Sequence, residues 1–514
     1  QEALDIALCV AKALGARVLD EVHVMRKTVA DGSAVSAFQR TALVAVDGVL
    51  DTSLGPVAVP TICLEEESCG IVEKKDDKSV YRLDRLGIPL IELATDASIK
   101  SGAHAREVAE KIGWLLRATG RVQRGLGTIR QDLNVSIAGG GRVEIKGAQA
   151  LEDVAALVDN EAARQAGLVE VRRILRERGF EKLAFGKPSD VSRVFAGAKS
   201  FLSKPLSEGH VALALKLLYA KGLLGKEFMP GHRFGTEVSD YAKAKSGVKG
   251  IVHSDEDPQK YGLTSADFET IAADLDCGAQ DGWAVVVAEH PVAVRALHAA
   301  FDRVYALDVP KETRRAEGQN SRFMRPLPGA ARMYPETDVL PEVMPPSRLA
   351  HVSAPKSMAQ RKEAYLALGL NAEITDKLLR SHEWDVFEQI ASKENAKTLA
   401  LLLLDVKPQL RRQGVDAELS AGRVREIVEA VLSGAITRAA MLDVAALAAH
   451  EPGVPVEKLA DAAGLRRVLG DALRKLAASL DNHFGEVMKR HRLVVDAGEL
   501  QAFLSVSRKG GEAD

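Results

Sequence analysis

Residues Leu126 to Gly147 read LGTIRQDLNVSIAGGGRVEIKG. Polar side chains hold the even positions (Thr128, Arg130, Asp132, Asn134, Ser136), and apolar ones hold the odd positions (Ile129, Leu133, Val135, Ile137), with Gln131 the exception. After Ala-Gly-Gly-Gly the alternation resumes, with Arg142, Glu144 and Lys146 set against Val143 and Ile145. Successive strand residues point to opposite faces, so a period of two predicts a hairpin with one apolar and one charged side. Charge pairs across such a hairpin contribute only about 0.2–1 kcal/mol each. The charged side is therefore either a solvated surface or the floor of a site.

Outward from this hairpin, residues 18 to 95 carry β-branched runs, VHVMRKTVADGS and QRTALVAVDG, broken by Asp-Gly turn signals. The stretch SIKSGAHAREVAEKIGWLLRATG predicts a helix begun near Ser101 and stopped by Gly120, with Val108, Ile112 and Leu115 along one face. A second helix is expected from about Leu151 to Arg178. Residues 186 to 210 lose periodicity and read as a junction. From about 211 to 305, strand and helix signals alternate as in a small α+β domain. PKETRRAEGQNSRFMRPLPGAARMYPETDVLP, rich in Pro, Gly and Arg, predicts a long ordered loop. Beyond about 350 the pattern is helical throughout, with a break near LSGAITRAAM. The expected fold class is multidomain α+β.

Bulk properties exclude several classes. The chain has 514 residues, enough for three or more domains. Lys+Arg 69 against Asp+Glu 71 leaves a formal charge of -2, so any RNA contact must come from local patches. Cys9, Cys63, Cys69 and Cys277 form no CxxC pair, which suits a reducing cytoplasm. Cys63 and Cys69 either ligate a metal or simply fill space. No apolar run is long enough to cross a bilayer and no signal peptide is present, so a cytoplasmic location and no membrane partner are expected. The first residues, QEALDIALCVAKALG, predict an amphipathic helix with no initiator Met, and the chain is expected to begin inside a longer protein.

No phosphate-loop, HExxH, G-x-S-x-G or spaced Cys/His zinc motif is present, so any chemistry must rest on carboxylates and cations. TICLEEESCGIVE sets Glu65, Glu66 and Glu67 beside an apolar run, and RLGIPLIELATD embeds Glu92 within one. A carboxylate there is costly to bury unless it is paired or bound to a cation. For Glu92 the plain alternative is a salt bridge, for instance to Arg82 or Arg85; for Glu65 to Glu67 it is a solvated charge run. Taken together, acids at 65, 92, 132 and 144 beside Arg130 and Lys146 are the mixture that Mg²⁺ with phosphate requires. Mg²⁺ takes one or two carboxylates and keeps waters, while Arg and Lys hold phosphoryl oxygens.

Five stretches carry a resemblance: VHVMRKTVADGSAVSAFQRTALVA, CLEEES, YRLDRLGIPLIELATDASIKSGAHAREVAE, GTIRQDLNVSIAGGGRVEIKGAQAL and RPLPGAARMYPETDVLP. In the same order, and along essentially all of the chain, they resemble the E subunit of archaeal glutamyl-tRNA(Gln) amidotransferase, the relative of the bacterial B subunit. The resemblance implies a ligase that uses ATP and Mg²⁺ to phosphorylate the γ-carboxylate of misacylated Glu-tRNA(Gln). Ammonia then displaces phosphate to give Gln-tRNA(Gln). The ammonia comes from a glutamine or asparagine donor through a separate asparaginase-like amidotransferase partner, the D subunit, in a heterodimer or heterotetramer.

The resemblance also implies an architecture. A mixed, antiparallel β cradle with helices (1–195, with a return segment at 309–347) is interrupted by an aspartyl-tRNA-synthetase-like insertion (196–308). An all-α helical domain (348–432) and a small helical tail domain (433–514) follow. Carried over residue by residue, Glu65 in LEE, Glu92 in PLIE and Asp132 in RQDLNVS are the Mg²⁺ candidates, and with Lys146 they make the catalytic set. Arg130, Asn134 and Lys146 would contact ATP or the activated γ-carboxyl. Glu144 is either a ligand or the partner of Lys146. Arg332, Tyr334 and Glu336 of RMYPETD either wall the site or pack a loop. The family's first motif, a Glu-Ile-His strand thought to supply metal ligands, would precede residue 1. Cys63 stands where bacterial relatives usually have His and is not counted as a ligand.

Two basic runs are candidates for tRNA contact, Arg411-Arg412 and the Lys489, Arg490 and Arg492 of MKRHRL. Within the family, helical and tail domains would hold tRNA by backbone and shape; the plain alternative is a solvated helix face. A competing function is a non-catalytic tRNA-binding scaffold within the same complex, against which Glu65, Glu92, Asp132 and Lys146 count. No Ser-Ser-Lys amidase cluster and no asparaginase threonine motif is present, so ammonia is expected from a partner.

Overall fold

Alternating residues between 24 and 94 fold into one antiparallel sheet in the computed structural model, which describes residues 1–509 apart from 76–77, 124–126, 196–202, 328, 330–331, 382 and 416–418. The strands β1 (Val24–Thr28), β2 (Phe38–Thr52), β3 (Gly55–Glu66) and β4 (Pro89–Ala94) lie in that spatial order. A bulge between Leu43 and Ala45 lets Val44 and Ala45 both turn inward. With Ala42, Val59 and Ile62 they pack on α1 (Glu2–Ala13) through Leu4, Leu8, Val10 and Ala11. Leu116 of α2 (Gly102–Ala118) joins that core, and Ser101 caps α2 by accepting the His104 amide. Burying one Val, Leu or Ile side chain is worth about 1.5–3 kcal/mol, so this covered side holds the sheet together. The opposite side is left to polar residues.

The opening hairpin is present as β5 (Leu133–Val135) and β6 (Val143–Lys146), with Glu144 opposite Asn134. Val135, Val143 and Ile145 are buried with Leu157 of α3 (Leu151–Glu177), while Asp132, Asn134, Ser136 and Arg142 are exposed. A second sheet forms when β7 (Glu312–Glu317) pairs parallel to β6 and β8 (Asn320–Pro326) pairs antiparallel to β7. The expected long loop over 310–341 is thus corrected at its first half, which is a strand pair. Its alternation is hidden because Glu312 and Arg314, not apolar residues, point inward. After β8, β9 (Met333–Pro335) returns to pair with β1.

Residues 189–304 build a third sheet, in the order Ser189–Asp190, Val211–Leu217, Gly282–Ala288, Val252–His253. The helices α4 (Phe234–Ser246) and α5 (His290–Val304) cover one face. Ile271 of the Ser265–Asp274 helix packs with Trp283 on the other. A buried ion cluster ties α4 and α5 to α3 and β7. Arg164 lies 2.8 Å from Glu161 and 2.8 Å from Glu237, while Arg303 and Arg314 each lie 2.7 Å from Glu312. Burial works to raise the pKa of Glu237, but Arg164, Arg314 and Arg303 outweigh it and hold the carboxyl well below 4.5.

The described chain divides into two compact units, Gln1–Pro355 and Lys356–Asp514. The second is helical, with an isolated bridge between Ile436 and Arg466. One apolar core runs through it from Tyr365 to Ala460, and another joins Leu473, Val487, Val495 and Leu500. Among the described residues, no helix is long and apolar enough to cross a membrane.

Candidate active site

Strand parity decides which side chains share the uncovered face of the first sheet. Thr41 lies opposite Glu65, and Cys63 lies opposite Glu92, so Cys63, Glu65 and Glu92 project from one side. Lys27 of β1 reaches the same place, its Nζ donating to Glu65 Oε1 at 2.6 Å. Glu92 neighbours Glu65 on this face, and its pKa is raised above 4.5. Burial is the largest cause, followed by the charge of Glu65; Asp132 adds to the shift, and Lys27 opposes it. Yet Glu92 is open to solvent. The open face of the sheet is the floor on which these groups stand. Burial first, then Glu92 and Glu65, push the Cys63 thiol up to about 11.

Among the described residues, neither of the two arginines offered as partners for Glu92 pairs with it. Arg82 donates to Asp84 at 2.8 Å in its own turn, and Arg85 lies 3.4 Å from Glu67. Nor are Glu65, Glu66 and Glu67 a solvated run. Each is paired with a cation, respectively Lys27, Arg40 and Arg130, and their side chains are 13%, 31% and 11% exposed.

The polar side of the second sheet meets this floor from the far end of β3. Arg130 pairs with Glu67, and Arg85, also on Glu67, donates to the Gly127 carbonyl at 3.3 Å. Lys146 Nζ lies 2.6 Å from Asp132 and 2.7 Å from Glu144, and the Thr313 hydroxyl donates to Glu144 at 3.1 Å. Burial works against the charge on both Glu144 and Lys146. Their mutual contact, helped by Asp132 and Thr313, still holds the Glu144 pKa down and the Lys146 pKa up. Of the two readings of Glu144, the geometry gives the partner of Lys146. Half-exposed pairs of this kind are worth about 1 kcal/mol or less, so Val143 and Ile145 hold the hairpin and the charged side is free to serve a ligand.

The three proposed metal acids are not gathered equally. Glu65 and Glu92 share one face of adjacent strands, whereas Asp132 is close enough to raise the Glu92 pKa but gives its carboxylate to Lys146. Among the described residues, no group of three or more His, Cys, Asp or Glu side chains converges as a metal site.

The RMYPETD segment separates into three roles. The carbonyl of Arg332 accepts the Thr28 amide at 3.0 Å, with the side chain exposed. Tyr334 lies opposite Arg26 in β1, half-exposed, its ring edge-on to Phe38 at 6.5 Å. Glu336 is buried and takes Arg26, Arg40 (2.6 Å) and the amides of Thr337 (2.8 Å) and Asp338 (3.0 Å). Its pKa is driven far below 4.5, by Arg26 above all. Glu336 is therefore a clamp on two arginines that lie 4.6 and 5.3 Å from the Phe38 ring. Lys27, Arg26, Arg40 and Thr313 escaped the sequence reading. Only Arg26 and Lys27 had a signal, two consecutive cations inside a strand.

In the helical unit, Arg411 is exposed and 3.4 Å from Glu383, and Arg412 Nε donates to the Pro408 carbonyl at 3.4 Å. Lys489 and Arg490 lie on the Phe484–His491 helix, where Arg490 is 3.3 Å from Glu486, and Arg492 is exposed just after it.

A sheet with paired acids and a lysine on its open face, met by a charged hairpin and clamped by a returning strand, defines a class. The family model described as the GatB/GatE catalytic domain matches residues 1–349. The chain is 42% identical over 510 residues to the glutamyl-tRNA(Gln) amidotransferase E subunit of Aeropyrum pernix, covering 95% of this chain and 79% of the relative. It is 40% identical over 533 residues to the protein of that name from Methanosarcina barkeri, covering 98% and 83%. For that from Thermococcus gammatolerans it is 39% over 498 residues, covering 95% and 79%. The chain belongs to the family of glutamyl-tRNA(Gln) amidotransferase E subunits.

Proposed function

We propose that this chain carries out ATP-dependent amidation of misacylated Glu-tRNA(Gln), the substrate in its relatives' names. A free carboxylate is a poor acyl donor to ammonia because its leaving group would be oxide. Transfer of the ATP γ-phosphoryl group to a γ-carboxylate oxygen, releasing ADP, supplies a good leaving group. Ammonia then attacks the acyl carbon, the C–O bond to phosphate breaks, and the amide remains. Phosphoryl transfer needs positioning and charge neutralisation more than a protein nucleophile, which suits a site of acids and cations without a Ser/His pair.

The observation that carries this reading is the Glu65–Glu92 acid pair beside Lys27, with Lys146 and Asp132 close by. Mg²⁺ is often held by only one or two carboxylates plus water and substrate phosphate, so Glu65 and Glu92 suffice in kind, with Asp132 as a third acid within reach. The cation would neutralise phosphoryl charge. Lys27 fixes Glu65, while Arg130, Asn134 and Lys146 meet phosphoryl or carboxylate oxygens and Glu144 orients Lys146. In this reading Arg332, Tyr334 and Glu336 hold the edge of the sheet rather than the ligand, because Tyr334, Arg26 and Arg40 leave it on the face opposite Lys27 and Glu65.

Ammonia is supplied in this reading by an asparaginase-like partner, the D subunit, from glutamine or asparagine, in a heterodimer or heterotetramer in the cytoplasm. Residues 196–308 act as the aspartyl-tRNA-synthetase-like insertion between cradle segments 1–195 and 309–347. The helical (348–432) and tail (433–514) domains contact tRNA through Arg411, Arg412, Lys489, Arg490 and Arg492. The test uses the full-length protein with its amidase partner, Glu-tRNA(Gln) and labelled ATP, but no amide donor. ADP formation with label on the glutamyl group is the expected result. Tight tRNA binding without tRNA-dependent ATP turnover would instead make the chain a scaffold.

A further inference from the structure

The polar face of the second sheet carries more positive charge than its own carboxylates use. Lys146 is shared by Asp132 and Glu144. Arg315 of β7 is its partner in the parallel ladder, so the two side chains leave the sheet on the same face. Arg325 of β8 lies opposite Thr313, whose hydroxyl reaches Glu144 on that face. Lys311 precedes β7, and its carbonyl still accepts the Leu327 amide at 3.2 Å. Lys311, Arg315 and Arg325 are all exposed. Their chain neighbours Arg314 and Arg322 are taken up by Glu312 and Asp240, at 2.7 Å in each case. No carboxylate among the described residues takes up the three exposed cations.

Unneutralised cations in a row are a binding surface for a polyanion. Their spacing selects which kind. Lys311 and Arg315 are four residues apart on extended backbone, about 13 Å, which is longer than the three linked phosphoryl groups of one nucleotide. A chain of phosphodiesters matches that length, and Arg315 places one end of the row beside Lys146. We propose that Lys311, Arg315 and Arg325 bind the sugar–phosphate backbone of a single-stranded RNA end and lead it to the Glu65–Glu92 floor. Its direction toward that floor rests on the function proposed above; the RNA contact itself does not.

The test measures binding of deacylated tRNA, without nucleotide, by the full-length protein with its amidase partner across a salt series. A triple variant, Lys311→Gln with Arg315→Gln and Arg325→Gln, should bind about 10- to 100-fold more weakly at low salt. Its log–log salt slope should fall by about 0.7 for each cation removed. The charge-retaining triple, Lys311→Arg with Arg315→Lys and Arg325→Lys, should keep the wild-type slope, and ATP affinity should not change in either. An unchanged RNA slope overturns the proposal. A loss of ATP affinity with the RNA slope intact also overturns it and makes the nucleotide the source of the phosphate. Because no catalysis is read, an inactive site leaves this result standing or falling by itself.

Discussion

Arg26 and Arg40 stand directly opposite each other across β1 and β2, two like charges that would repel were Glu336 not bound to both. Like charges directly opposite in a sheet are destabilising, so the clamp must be ionised. The Glu336 pKa is depressed, so its stabilisation is present above the unfolded value near 4.5 and is lost as pH falls through the lower folded value. Glu336→Gln should lower the urea midpoint at pH 7. The gap between wild type and variant should shrink as pH drops below 4.5. A gap that is constant with pH would place the effect in shape rather than charge.

The buried cluster of Glu161, Glu237 and Glu312 with Arg164, Arg303 and Arg314 makes a larger prediction. Removing one member leaves a buried charge unpaired, at about 3–5 kcal/mol. Glu237→Gln should shift unfolding followed by Trp283 fluorescence by that amount. Glu177→Gln, whose Arg173 pair is more than half-exposed on both sides, should move it by less than about 1 kcal/mol.

Gly102 sits where α2 crosses α3. Its amide donates to Asp159 at 2.9 Å, and an added Cβ would lie 2.1 Å from the Ala155 carbonyl. Gly102→Ala should therefore force the helices apart and destabilise the protein despite alanine's better helix propensity. Equal or greater stability, read from thermal unfolding, would contradict that packing.

Proton competition at Glu92 gives a pH prediction. If Glu92 holds Mg²⁺ as proposed, its carboxyl must be ionised to do so, and its pKa is raised by burial and by Glu65. Mg²⁺ affinity of the nucleotide-bound protein should thus begin to fall on acidification at a pH above the ordinary 4.5. Glu92→Gln should remove that titration along with most of the affinity, as isothermal titration at several pH values would show.

The parts of the fold that obey a simple period were legible in the residues. β5 and β6 were readable from alternation, α2 from Ser101 and its apolar face, and α3 to within a residue of its end. β7 and β8 were not, because Glu312 and Arg314 face inward to partners on α4 and α5, and polar residues pointing into a core mimic a loop. Within the site, Glu65, Glu92, Asp132 and Lys146 stood out as charges on strands, while the distinction between Asp132 as a free acid and as a partner of Lys146 required distances. Arg130 meeting Glu67, or Glu336 meeting Arg26, joins residues so far apart in sequence that only the fold brings them together.

If the Glu65–Glu92 floor activates a glutamyl γ-carboxylate, label must pass from γ-labelled ATP to the glutamyl group of Glu-tRNA(Gln) before any amide donor is added. Single-turnover transfer, comparing wild type with Glu92→Gln in the complex with the amidase partner, reads that step. Wild type should give labelled acyl phosphate. The variant should transfer at least about a hundredfold more slowly, about 2.7 kcal/mol of barrier, at tRNA affinity within a few-fold of wild type. Transfer by Glu92→Gln at the wild-type rate would contradict the assignment of that floor.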